Sequence, residues 1–190
     1  MIYSLLPDDD LRVLAAAARE TPAAGQILVA GTYQGGDVMW LRQHDPHHRR
    51  IMVIDSFAGL APPTQEDRGT GHGESEFSQD RAGYLRNFVK AGFKPPDEIH
   101  EMYITDGTLA GIDYRPLSLV WLDLDHYQPT LDCLNRFVSW LLPGGVALTH
   151  DLDWASCPGI RRACDRFGGH WELVGFSCGK LRINEKVGIV

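Results

Sequence analysis

The segment Leu117-Ser-Leu-Val-Trp-Leu122-Asp123-Leu-Asp125-His126-Tyr127-Gln-Pro-Thr130 sets the architecture of this chain. The apolar run Leu117 to Leu122 stops abruptly at Asp123. A run of this kind reads as a strand buried on both faces, as found inside a parallel sheet. Side chains alternate along a strand, so Asp123 and Asp125 emerge on one side at its C-terminal end. In open α/β sheets ligands bind at that end. Two carboxylates held together there repel each other unless a cation or a shared proton relieves them.

A second cluster matches the first. The turn Pro143-Gly144-Gly145 launches the short apolar run Val146 to Thr149, which ends in His150, Asp151 and Asp153. If the two strands are neighbours, Asp123, His150 and Asp151 converge on one hard cation such as Mg²⁺. Taken singly, Asp125, Asp151 and Asp153 read as loop carboxylates or helix caps. Their recurrence at two buried strand ends favours a site.

Working outward, residues 8 to 20 read as a helix, with Asp8, Asp9 and Asp10 at its N-terminus and Leu11, Leu14, Ala15 and Ala18 as an apolar stripe. Gln26 to Ala30 is a short buried strand. It runs into a glycine turn, Gly31-Thr32-Tyr33-Gln34-Gly35-Gly36, which opens a helix over about 36 to 43. Glycines there let the backbone approach a ligand and leave the helix N-terminus open. The spacing is not the GxGxxG dinucleotide fingerprint, which disfavours an NAD-dependent oxidoreductase. The next strand, 50 to 55, ends in Asp55. An acid about 20 residues beyond a glycine turn is placed to bind ribose hydroxyls.

Residues 56 to 77 form a long loop with Pro62, Pro63 and four glycines, expected to act as an active-site lid. His72 within it reads as a solvated loop histidine. Ser78 to Ala91 is expected to be an amphipathic helix with Tyr84, Leu85, Phe88 and Val89 inward. A strand over 98 to 104 leads to Thr105-Asp106-Gly107. A helix over about 129 to 140, a strand over 145 to 149 and a helix from Ser156 to about Phe167 follow. Two strand-like stretches, 171 to 176 and 180 to 190, close the chain as an antiparallel hairpin. Seven strands alternating with helices describe a doubly wound, mostly parallel α/β sheet.

Composition bounds the function. The 190 residues are 44% hydrophobic and 23% charged, as in an ordinary globular domain, read here as one domain over 1–190. A net charge of −7 leaves no basic surplus for nucleic acid. No apolar stretch approaches a membrane span and no signal peptide is evident, so no membrane partner is expected. The four cysteines, Cys133, Cys157, Cys164 and Cys178, show no CxxC pairing and read as buried thiols of a reducing, cytoplasmic protein.

Several of these segments together resemble the class I S-adenosyl-L-methionine-dependent methyltransferases, and among them the macrocin O-methyltransferase family. They are Val29-Ala-Gly31-Thr-Tyr33-Gln-Gly35-Gly36, Asp55-Ser56-Phe57-Ala-Gly59-Leu60-Ala-Pro62, Leu122-Asp123-Leu-Asp125-His-Tyr127, Pro143-Gly144-Gly145-Val146 and Cys157-Pro158-Gly159. The resemblance covers about residues 26 to 167 and implies a Rossmann-like sheet with a reversed last strand. It implies that the turn Gly31, Thr32, Tyr33, Gly35, Gly36 holds the methionine end of the cofactor. Asp55, with Ser56 and Phe57 beside it, would take the ribose. Asp106 and Gly107 would lie near the adenine, and Asp123 near the cofactor. It further implies Mg²⁺ or another divalent cation on Asp123, His150 and Asp151, and Asp125 as general base.

This chain departs from the family pattern in two places: the family usually carries an acid where Ala30 stands, and His150 replaces the first Asp of an Asp-Asp pair. Histidine suits softer divalent ions better than Mg²⁺. Only residues 1 to 25 precede the first strand, so the substrate mouth is expected to be open or completed by a second subunit; a homo-oligomer stays open. The acceptor implied is a small-molecule hydroxyl, on a sugar of a glycosylated natural product. Two rivals remain: a metal-independent methyltransferase with His150 or His126 as base, and a non-catalytic S-adenosylmethionine-binding module.

Overall fold

The computed structural model describes residues 4–182. Seven strands form one sheet: β1 Gln26–Ala30, β2 Ile51–Asp55, β3 Glu98–Glu101, β4 Leu117–Leu122, β5 Leu141–Thr149, β6 Glu172–Val174 and β7 Cys178–Arg182, in the order β3-β2-β1-β4-β5-β7-β6. The first five are mutually parallel, and β7 runs antiparallel to both β5 and β6. The doubly wound sheet with a reversed C-terminal hairpin is therefore as the sequence implied. The hairpin turns earlier than expected, because Gly175 supplies a positive φ of 65° and β7 already begins at Cys178. The remainder of the expected last strand, 183 to 190, lies outside the described residues.

Helices cover both faces: α1 Asp8–Glu20, α2 Gly36–His44, α3 Arg81–Ala91, α4 Asp106–Leu109, α5 Tyr127–Phe137 and α6 Pro158–Phe167. Strand alternation sorts the apolar residues into two cores. Leu28, Ala30, Met52, Ile54, Val120 and Leu122 pack toward α4, α5 and α6. Ile27, Val29, Ile51, Val53, Leu119 and Trp121 pack toward α1, α2 and α3. Every residue of β4 is buried. Burial of each large apolar side chain contributes roughly 1.5–3 kcal/mol, so β4 is pinned in the sheet centre from both sides. Its register carries Asp123 to the carboxyl edge, where its amide bonds the Ala30 carbonyl at 2.9 Å.

Several boundaries differ from expectation, each for a local reason. Helix α3 starts at Arg81 because the Asp80 carboxylate caps it, accepting the Gly83 amide at 2.8 Å. Val89, expected inward, is 75% exposed. Helix α5 starts at Tyr127, two residues before Pro129, whose missing N–H costs nothing within the first turn. Pro143-Gly144-Gly145 is absorbed into β5, where the pairing register with β4 jumps between Leu117 and Leu119. The four cysteines are buried and free. Among the described residues no helix is long and apolar enough to cross a membrane.

Candidate active site

The carboxyl ends of the five parallel strands open onto one cavity of about 330 Å³. Beside β1, Gly31 takes φ +75°, and a Cβ there would sit 1.9 Å from the Asp123 carbonyl oxygen. Only glycine lets these two strand ends come this close. Gly31, Thr32, Tyr33 and Gly36 line the cavity, as do Asp55 and Ser56 at the end of β2. Asp55 is anchored by its neighbours: Oδ2 accepts the Thr32 amide at 2.8 Å and Oδ1 the Phe57 amide at 2.7 Å. Burial, reinforced by Asp123, raises its pKa despite those bonds.

The expected cation ligands meet. His150 Nδ1 lies 3.0 Å from Asp151 Oδ1 and 3.3 Å from Asp123 Oδ1. One ligand atom from each of the three falls within 4.8 Å of the others. The second ring nitrogen, Nε2, faces Asp10 Oδ2 at 3.2 Å and Ser177 Oγ at 3.1 Å. Asp10 is fully buried, and its other oxygen accepts the amides of Phe176 and Ser177. A carboxylate behind one imidazole nitrogen, with the other nitrogen facing two carboxylates, is the arrangement that orients metal-ligating histidines. The donor set therefore fits a divalent cation. Burial opposes charge on His150, but Asp123, Asp10 and Asp151 prevail and push its pKa up to about 12. The same imidazole helps hold Asp10 at about 2 against the effect of burial.

Asp125 follows Asp123 by two residues, beyond the end of β4. It and Asp151 hold left-handed φ values of +59° and +60°, unusual for residues other than glycine and costing of order 1 kcal/mol each. That backbone turns the Asp125 carboxylate into a second group with His72 and Cys157. The Cys157 thiol lies 3.6 Å from Asp125 Oδ1 and 3.4 Å from Asp151 Oδ2. Burial first, then Asp123 and Asp151, push the Asp125 carboxyl up to about 7.

Four expected cofactor contacts are not in the cavity wall. Gly35 backs onto Phe88 and Tyr84, where a Cβ would come within 2.7 Å of the Phe88 ring. Phe57 is buried against Tyr84 at 5.1 Å between ring centroids. Asp106 and Gly107 open α4, exposed and outside the cavity wall, which Met102, Tyr103 and Ile104 line instead. Conversely, Asp10, Asp37, His72 and Cys157 belong to the site although sequence reading gave them no role. Asp10 carried a signal: it shares a helical face with the buried Leu14 and Ala17.

The loop 56–77 forms one wall of the cavity through Gly59, Leu60, His72 and Phe77. Within it, Asp67 is buried and accepts the Tyr127 amide at 2.6 Å, fixing the loop to α5. Gly159 makes room for that carboxylate, since a Cβ there would lie 2.0 Å from Asp67 Oδ1. His72, expected in solvent, bonds Glu76 at 2.9 Å and turns toward Asp125.

This strand order, with a glycine turn after β1 and acids at the tips of β2 and β4, defines the class I methyltransferase fold. The model of the macrocin-O-methyltransferase (TylF) family matches residues 8–173, and the chain belongs to that family. It is similar to mycinamicin III 3''-O-methyltransferase of Micromonospora griseorubida, with 27% identity over 165 residues, covering 79% of this chain and 64% of the relative. It is also similar to 8-demethyl-8-(2,3-dimethoxy-alpha-L-rhamnosyl)-tetracenomycin-C 4'-O-methyltransferase of Streptomyces olivaceus, with 28% identity over 147 residues, covering 70% and 55%. The chain thus spans less than two thirds of the length of these curated relatives. Among solved structures, the O-methyltransferase NovP shares the fold at a TM-score of 0.78 and 18% identity, with 96% of this chain and 82% of NovP covered. The calicheamicin methyltransferase CalS11 does so at 0.75 and 22%, with 93% and 79% covered.

Proposed function

We propose that this chain is an S-adenosylmethionine-dependent O-methyltransferase acting on a sugar hydroxyl of a glycosylated natural product, with Asp123, His150 and Asp151 holding a divalent cation and Asp125 as general base. The observation that carries this reading is the convergence of those four side chains beside the cavity that the glycine turn and Asp55 also border. The family relatives, named for O-methylation of mycinamicin III and of a rhamnosyl tetracenomycin, support the acceptor class.

The chemistry supplied by the bound groups is an activated sulfonium methyl from the cofactor and, from a cation, a lowered pKa of the acceptor hydroxyl. The protein's part is to align and to take a proton. Asp125, three residues past the end of β4 and held in a left-handed backbone, accepts the hydroxyl proton once ionised. Asp10 and Ser177 fix the ring plane of His150 so that Nδ1 stays toward Asp123 and Asp151. The loop 56–77 serves as the lid that limits water access. Trp154 and Phe176, 43% and 54% exposed with ring centroids 5.3 Å apart, border the cavity and suit an acceptor with an apolar face.

The metal-independent rival has less support. Both nitrogens of His150 are engaged by carboxylates, and His126 is buried, 1% exposed, and does not border the cavity. The test is methyl transfer from S-adenosylmethionine over a panel of glycosides, with and without excess chelator. Transfer that stops in chelator and returns with Mn²⁺ or Mg²⁺ is expected; transfer that continues in chelator removes the cation, and no transfer to any glycoside removes the acceptor class.

A further inference from the structure

Asp37, the second residue of α2, carries an acceptor that the fold leaves unmatched. Its side chain is 5% exposed, and it borders the cavity. Oδ1 accepts the Thr32 hydroxyl at 2.8 Å and the Val38 amide at 2.7 Å. Oδ2 is buried and has no hydrogen-bond partner among the described residues. A carboxylate needed only to tie the turn to the helix would spend Oδ1 and leave Oδ2 in water. Burying an unmatched acceptor costs about 1–3 kcal/mol, and more when it is charged.

The surroundings compound this cost. Burial, then the nearby Asp123 and Asp55, push the Asp37 carboxyl up to about 7. Among the described residues, the cavity wall contains no Lys or Arg to offset these three acids. The strand leading into the turn ends in Val29 and Ala30, both fully buried and apolar, so no acid comes from there. An orphaned carboxylate oxygen on a residue that borders a negatively charged cavity calls for a small ligand cation with N–H donors. The amino-acid end of S-adenosylmethionine presents one, its α-ammonium.

We infer that Asp37 binds the ammonium of the cofactor's methionine end through Oδ2, setting that end amino-inward against α2. This rests on the cofactor assigned above. In this chain the acid comes from the helix rather than from β1, and Oδ1 remains with Thr32 and Val38, leaving Oδ2 free to accept.

The experiment is calorimetric titration with S-adenosylhomocysteine, its deaminated analogue, and methylthioadenosine, which lacks the whole amino-acid end. A charge-assisted hydrogen bond contributes roughly 1.5–3 kcal/mol, about 10- to 100-fold in affinity. The wild-type chain should therefore bind the deaminated analogue about 10- to 100-fold more weakly than S-adenosylhomocysteine. Asp37→Asn, which keeps an oxygen for Thr32 and Val38, should lose the same factor for S-adenosylhomocysteine and leave methylthioadenosine within about twofold. Equal wild-type affinity for the aminated and deaminated ligands overturns the assignment without needing a variant. Parallel loss of S-adenosylhomocysteine and methylthioadenosine in Asp37→Asn overturns it too, marking a structural role. A wild-type chain that binds none of the three overturns the cofactor reading itself, and Asp37 with it.

Discussion

The two ends of the parallel sheet treat charge in opposite ways. At the amino end, Arg49 and Asp45 are buried together, their side chains 2% and 3% exposed. The guanidinium bonds Asp45, the hydroxyls of Thr21 and Ser118 and the carbonyls of Ala18 and Pro22. Every charge there is matched. At the carboxyl end, Asp37, Asp55, Asp123, Asp125 and Asp151 border one cavity with two imidazoles, His72 and His150, among them. Three of those carboxyls are raised, and two of the backbones are strained. One end is satisfied within the fold; the other gathers acids that the fold matches only in part. Perturbed acids gathered in a cleft mark functional sites, whereas a saturated buried pair marks scaffold.

The largest effect expected from this contrast is on turnover. Asp125→Asn removes the proposed base, and general-base loss costs typically about 10²–10⁴ in rate. Asparagine tolerates the left-handed backbone, so cofactor affinity by calorimetry should stay within a few-fold. Wild-type turnover should rise with pH through about 7, because the proposed base works only when ionised. A variant with full activity, or with rate and cofactor affinity lost together, would erase the distinction drawn for Asp125.

At the other end the effect falls on stability. Asp45→Ala leaves Arg49 charged and unpaired, which should cost about 3–5 kcal/mol by urea unfolding. Activity per folded molecule should not change. A loss below about 1 kcal/mol would mean the pair is solvated, contrary to its burial.

The smallest effect is a difference in sign. Burial favours the neutral form of Asp45, but hydrogen bonds and charge from Arg49 outweigh it and lower the pKa. Its stabilisation is therefore present above the ordinary carboxylate range and lost as pH falls below it. Asp125 is raised, so the folded state holds its proton longer than the unfolded chain. Its contribution is present at low pH and lost as pH rises from about 4 toward about 7. In chelator at pH 8, Asp125→Asn should be more stable than wild type, by on the order of 1 kcal/mol. Equal or lower stability would place Asp125 among the satisfied charges.

Much of this was legible in the residues. The run Leu117 to Leu122 located the central strand, and acids ending three strands located the carboxyl edge, because burial and strand alternation are local properties of sequence. Ser118 inside that run had no local reason. Its partner Arg49 lies 69 residues away in sequence, and their pairing exists only in the folded sheet. Asp10 looked like one of three helix-terminal charges; that it reaches His150 depends on where α1 packs. His72 sits on a loop whose path follows from Asp67 docking on α5, a contact across 60 residues. Val89, expected inward, falls on the outer face because helix α3 buries Gly83, Tyr84 and Phe88 and packs Leu85 and Ala91 beside them.

The most direct test of the unsatisfied end is electron paramagnetic resonance titration of Mn²⁺ into the metal-free chain. Binding of a single ion, lost in Asp151→Asn and weakened in Asp10→Asn, is the expected result. No binding, or binding unchanged in both variants, would mean that Asp123, His150 and Asp151 neutralise one another and hold no cation.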